Sequence, residues 1–200
     1  MQSKWGSEDQ ETLNTLERIK LDGKVLNVAA GDGRFTDKLL ETATSLVEMD
    51  LAKAELDQLI ESCSDNIKSK VSVKIADITK VFPFEDESFD GIFCTGTLHL
   101  FDVKTIEFII KQMSRVLRKN GKIVFDFSTD IKRIKTDGSL MTFDGEGHYS
   151  LKQAIDLFSS LLTDFEIEIE TATCLETGLN LNGIGYDFSC NFIIVSGTKL

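Results

Sequence analysis

Between residues 24 and 128 short apolar runs alternate with helix-spaced stretches, and few folds accommodate that alternation. KVLNVA (24–29), SLVEMD (45–50), VSVKIAD (71–77), FDGIFCT (89–95) and GKIVFDFS (121–128) each read as a strand. Between them, helical spacing covers about 34–42, with Phe35, Leu39 and Leu40 inward, then 52–63 and 104–118. The last of these stops at Asn120-Gly121. Leu13, Leu16 and Ile19 predict a leading helix over 8–20. Such βα units call for a parallel sheet with helices on both faces. Residues 129–149 then read as polar loop, and Ser150 caps a helix to about Leu162. FEIEIETATCLE (165–176) and FSCNFIIVSGTK (188–199) form a closing strand pair with an antiparallel edge, joined by the glycine-rich ETGLNLNGIGYD. The expected fold class is therefore α/β, doubly wound, with seven strands, mostly parallel, and an antiparallel C-terminal strand. All 200 residues are expected to form one domain. Within it lie an N-terminal helical segment (1–22), a ligand-binding core (24–128), and substrate-side loops with closing strands (129–200).

With 42% apolar residues in 200, the chain can bury a core that needs no staples. The N-terminus, MQSKWGSEDQET, has no apolar segment of the signal-peptide kind. Four scattered cysteines (Cys63, Cys94, Cys174, Cys190) lack CxxC spacing, which argues against zinc and a disulfide framework and points to a reducing cytoplasm. No run is long and apolar enough for a membrane helix. A net charge of −11 weighs against nucleic-acid partners, because phosphate neutralisation needs clustered Lys and Arg. The one basic run, KRIK (132–135), reads as a solvated loop, and Lys111, Arg115 and Arg118 as a solvent-facing helix stripe.

In open α/β sheets ligands bind beyond the carboxyl ends of the strands, near the point where strand order reverses. Four short segments meet there: Ala29-Ala30-Gly31-Asp32-Gly33, Glu48-Met49-Asp50, Asp77-Ile78, and Thr95-Gly96-Thr97-Leu98-His99. Gly31 and Gly33 permit a sharp turn and close approach of a ligand to the backbone. The helix starting near Arg34 would offer free N–H groups to an anion. Asp50 is placed to accept from a ribose diol, and Asp77 from an exocyclic amine such as that of adenine. A dinucleotide fingerprint would need glycine at Thr36, and the lysine of a P-loop is missing.

These segments resemble the class I S-adenosylmethionine-dependent methyltransferases, most closely those of the small-molecule type, over roughly 24–128. VLNVAAGDG is similar to the family's glycine motif, with Asn27 where an acid usually stands and Ala29 in place of the first glycine. FPFEDESFDGIFCTGTLHLF and MSRVLRKNGKIVF are similar to its strand-four and strand-five segments, and HYSLKQAIDLFSSLLTDFEIEIE to its last helix and strand six. The resemblance implies a Rossmann-like sheet and S-adenosyl-L-methionine as cofactor, with S-adenosyl-L-homocysteine as product. It assigns cofactor contacts to Asn27, Ala29, Ala30, Gly31, Gly33, Asp50, Leu51, Asp77, Ile78 and Thr95. Asn27 keeps hydrogen-bonding capacity without the charge. Ala29 costs little if its φ is negative and about 1 kcal/mol or more if positive.

GDG is also similar to polyamine synthases of the same fold, but CTGTLHL lacks their catalytic acid. With Pro83 as the only proline, the [DNS]-P-P-[YFW] segment of base-modifying amino-methyltransferases is missing too. The expected acceptor is a small molecule, and methyl transfer needs a general base only if that acceptor arrives protonated. His99, His148 and Tyr149 are the candidates for base or orienting group, against the commoner reading of each as a packing or locally hydrogen-bonded residue. Trp5 would anchor the N-terminal segment or close over the site. A partner subunit that keeps the fold without catalysis is the alternative.

Overall fold

The structure, a computed structural model, describes residues 10–143 and 147–200. Trp5 lies outside the described residues. The chain runs α1 (Gln10–Ile19), β1 (Gly23–Val28), α2 (Thr36–Leu39), β2 (Ala43–Asp50), α3 (Lys53–Ser62), α4 (Asp65–Lys68) and β3 (Val71–Ile75). It continues through β4 (Phe89–Cys94), α5 (Val103–Val116), β5 (Leu117–Lys135), α6 (Leu151–Leu161), β6 (Phe165–Leu181) and β7 (Ile184–Lys199). One seven-stranded sheet has the order β3-β2-β1-β4-β5-β7-β6. The first five strands pair in parallel, and β7 lies antiparallel between β5 and β6. This is the Rossmann-like, doubly wound sheet expected above. Strand order reverses between β1 and β4, which opens the crevice at their carboxyl ends.

Side chains of successive strand residues point to opposite faces, so each buried strand feeds two cores. Leu26, Val28, Met49, Ile92, Phe125 and Phe127 pack under α5 and α6. Val25, Leu46, Phe93, Val124 and Ile194 pack on the other face with Leu16 of α1, Leu39 of α2 and Phe35 just before it. No helix among the described residues is long and apolar enough to cross a membrane.

Three elements depart from the sequence reading. The helix expected over 34–42 is a single turn, Thr36–Leu39, because its hydrogen bonds tighten after Leu40 N to i→i−3 spacing before β2 begins. The stretch expected as loop after residue 128 instead continues β5 to Lys135, past an irregularity at Asp130 (φ 52°). KRIK therefore lies in this strand extension. The glycine-rich 176–187 segment belongs to β6 and β7, joined by a two-residue turn at Asn182 (φ 53°) and Gly183 (φ 86°). Both central residues left-handed is the geometry of an Asn-Gly hairpin, whose twist matches the strands it joins.

Arg115 and Arg118 are not a free stripe. Arg115 donates to the carbonyls of Phe82 and Phe84 at 2.9 Å each and to Asp86 at 2.6 Å, while Gln112 accepts from Phe82 N at 3.2 Å. Arg118 donates to Glu87 O at 2.9 Å and pairs with Asp90 at 2.6 Å. The last turn of α5 and the start of β5, where Arg118 lies, thereby fasten the segment that leads into β4. Arg115→Ala leaves two loop carbonyls without their donor, and urea denaturation is expected to show a loss of roughly 2–3 kcal/mol. An unchanged midpoint would contradict this role.

Candidate functional site

Three left-handed residues in five build the turn after β1: Ala29 (φ 57°), Gly31 (φ 56°) and Gly33 (φ 78°). The two glycines do different jobs. A Cβ on Gly33 would lie 2.5 Å from Leu59 of α3 and 2.7 Å from Thr36 Oγ1, so this glycine lets the turn sit against the helices. A Cβ on Gly31 would meet nothing within 4 Å, so its backbone faces open space above the sheet. Ala29 carries a side chain in a conformation that costs an L-residue about 1 kcal/mol or more. Ala30 N continues the sheet by donating to Met49 O at 3.0 Å.

Strand β2 holds this turn with two carboxylates. Asp50 accepts from Gly31 N through Oδ2 (2.9 Å) and from Ala52 N through Oδ1 (2.8 Å), so it joins the turns after β1 and β2. Each oxygen keeps a lone pair for another donor. Two residues earlier Glu48 is fully buried, in register with Asn27 of β1. Its Oε2 accepts from Asn27 Nδ2 at 2.7 Å and its Oε1 from Thr36 Oγ1 at 2.6 Å. Burial outweighs these two bonds and pushes the carboxyl from its ordinary 4.5 up to about 7.

The sequence reading gave Glu48 no role and treated Thr36 only as a missing glycine. The signal was nonetheless present. In a strand buried on both faces, an inward Glu opposite an inward Asn is a polar pair that must satisfy itself. The acid missing at position 27 is supplied across the sheet, within hydrogen-bonding distance of the asparagine that stands there.

The remaining segments gather at the same edge. Leu51, just past Asp50, is 66% exposed although apolar. Asp77 Oδ1 accepts from Thr79 N at 2.8 Å and Thr79 Oγ1 at 2.7 Å, bonds that hold its carboxyl below the usual range and leave Oδ2 outside this turn. Ile78 is buried in the core beneath. Thr95 begins the turn after β4, where Gly96 N donates to the buried Asp126 of β5 at 2.7 Å and Thr97 Oγ1 to Thr95 O at 3.0 Å.

His99 sits partly buried on a short 3₁₀ turn (Leu98–Leu100), its ring edge-on to Phe127 at 6.4 Å between centroids. Tyr149 packs on the same Phe127 at 5.0 Å, and its hydroxyl donates to Phe101 O at 2.6 Å. Burial, then the nearby Asp102, raises the Tyr149 phenol above its ordinary value. It therefore stays protonated and ties the loop before α6 to the loop after β4. His148, beside it, is exposed. The one-turn α2 supplies little of the dipole anticipated for a helix starting near Arg34.

A family model described as a methyltransferase domain matches residues 26–125. The chain belongs to that family. The matched span runs from β1 into β5 and so contains all four segments of the crevice. This methyltransferase domain is 33% identical, over 106 residues, to a phosphoethanolamine N-methyltransferase of Triticum aestivum. That match covers 52% of the chain and 21% of the wheat protein, so the chain spans about a fifth of that relative's length. Among solved structures, the YcgJ protein of Bacillus subtilis shares the fold at a TM-score of 0.70 and 15% identity, over 94% of this chain and 98% of that one. An S-adenosylmethionine-dependent methyltransferase from Mesorhizobium loti does so at 0.68 and 15%, over 97% and 99%. The 1,6-didemethyltoxoflavin-N1-methyltransferase of Burkholderia thailandensis, solved with S-adenosylhomocysteine, does so at 0.65 and 14%, over 95% and 77%.

The raised Glu48 carboxyl has a definite consequence for stability. Below its unfolded value both states hold the proton. Between about 4.5 and about 7 the unfolded chain loses it first, so stability falls as pH rises, and above about 7 the loss is constant. The difference in unfolding free energy between wild type and Glu48→Gln is expected to swing by about 3 kcal/mol against wild type from pH 4.5 to 8. Denaturation of both proteins across that range measures it, and a difference that stays flat with pH would contradict the assignment.

Proposed function

We propose that this domain binds S-adenosyl-L-methionine across the Gly31 turn and transfers its methyl group to a small-molecule acceptor. The observation that carries the reading is the Asp50 carboxylate. It is bonded to Gly31 N and Ala52 N, and so stands between two turns with lone pairs left for a vicinal diol. The cradle fits such a ligand: the backbone at Gly31 is bare and open, and the apolar Leu51 lies exposed beside Asp50.

In this reading Asp50 accepts from the ribose hydroxyls, Leu51 and the edge of Ile78 contact the adenine, and Asp77 accepts from its exocyclic amine. The turn from Asn27 through Ala29, Ala30, Gly31 and Gly33 lies along the amino-acid end, with Thr95 closing the opposite side. The cofactor would supply a sulfonium methyl group for in-line displacement by the acceptor. Alignment of the nucleophile and exclusion of water are the main tasks left to the chain. Asp126 holds the post-β4 turn through Gly96, which fixes the wall that carries Thr95 and His99. His99 is the group we assign to orient or deprotonate the acceptor, since it stands on that wall. Tyr149 acts there as a strut through its bond to Phe101 O. His148, exposed just before α6, is the second candidate we assign to the acceptor side. The names of the wheat and Burkholderia relatives, both methyltransferases of small molecules, support an acceptor of that size.

Titration calorimetry with S-adenosylhomocysteine tests the reading. Wild type is expected to bind, Asp50→Ala to bind roughly a hundredfold more weakly, and Asp77→Asn roughly tenfold more weakly, because charged hydrogen bonds to two hydroxyls exceed one to an amine. Absence of binding by wild type at millimolar ligand would overturn the proposal. Binding of S-adenosylmethionine with no turnover on any acceptor would favour the non-catalytic alternative.

A further inference from the structure

Glu48 is a costly side chain to bury: it is fully enclosed, and both its hydrogen-bond donors, the Asn27 amide and the Thr36 hydroxyl, are neutral. Burying a carboxylate here costs desolvation that its two neutral hydrogen bonds only partly offset. Its position suggests another use. Asn27 lies two residues before the left-handed Ala29, and Thr36 opens α2 immediately after the turn, where its N–H donates to Gly33 O at 2.9 Å. The two oxygens of Glu48 therefore clamp the beginning and the end of the segment 27–36 to one point on β2. Asp50, two residues along the same strand, takes the middle through Gly31 N.

We propose that Glu48 is the positioning residue of the cofactor turn: by bridging Asn27 and Thr36 beneath the sheet edge it sets where the Gly31 backbone stands relative to Asp50. The inference rests on the cofactor reading above. It extends that reading to a residue that touches no ligand and acts through Asn27 and Thr36. The strained Ala29 gives the clamp a purpose, since a turn with one left-handed alanine and open space above Gly31 has alternatives to relax into.

The two roles of a buried acid separate experimentally. Glu48→Leu removes the clamp and the buried charge together, and Glu48→Gln keeps a bridging amide that can accept from Asn27 and donate to Thr36 Oγ1. If Glu48 positions the turn, Glu48→Leu, which leaves the Asn27 amide and the Thr36 hydroxyl without their acceptor, is still folded by circular dichroism at pH 8 but binds S-adenosylhomocysteine at least tenfold more weakly. Glu48→Gln then restores affinity to within about threefold. Thr36→Val, which cuts one arm of the clamp without touching the acid, weakens binding in the same direction and serves if Glu48→Leu fails to fold. Equal affinities for wild type, Glu48→Leu and Thr36→Val would overturn the inference and leave the cofactor reading standing. If wild type itself does not bind, the cofactor reading fails and takes this inference with it.

Discussion

The grip of β2 on the turn after β1 is the interaction on which the rest of the crevice depends. A parallel sheet gives its central strands no free edge, so the chain leaving β1 must turn abruptly to reach its helix. Here the turn uses left-handed residues at 29, 31 and 33, a shape with little intrinsic preference at its alanine. Two acceptors on one neighbouring strand hold it in place, Asp50 from above through Gly31 N and Glu48 from beneath through Asn27 and Thr36. Strand register makes this possible, because Asn27 and Glu48 are direct partners in the β1–β2 ladder and so point to the same face.

The opposite wall is built by the same device. Asp126 of β5 accepts from Gly96 N and fixes the turn after β4, as Asp50 fixes the turn after β1. Tyr149 then links the loop before α6 to Phe101, and Phe127 carries both the Tyr149 and His99 rings. Each wall is thus a loop tied to the strand next to it by a side-chain acceptor, a rigid arrangement suited to a reaction that needs alignment more than chemistry.

Much of this was legible from the residues. The alternation of apolar runs with helical spacing gives the doubly wound sheet, and Asp50, Asp77, Gly31 and Thr95 fall at strand ends as their positions require. The misses have local causes. An Asn-Gly pair at 182–183 is a hairpin signal, but it sits among other glycines in a segment that reads as loop. The continuation of β5 through KRIK is supported by pairing with β7, a long-range contact that no local pattern reveals. Arg115 and Arg118 have the spacing of a solvent face, and only the fold brings the 82–90 segment beneath them. Glu48 went unread for a similar reason: its partners are 21 residues before it and 12 before it, one joined to it by the β1–β2 register and the other by the course of the turn into α2.

A crystal structure of the wild-type domain with S-adenosylhomocysteine tests the central claim most directly. The account requires both ribose hydroxyls within hydrogen-bonding distance of the Asp50 carboxylate, with the Gly31 N to Asp50 bond and the Asn27–Glu48–Thr36 bridge intact beneath them. A ligand seated elsewhere, or one whose binding breaks the bond between Gly31 and Asp50, would contradict it.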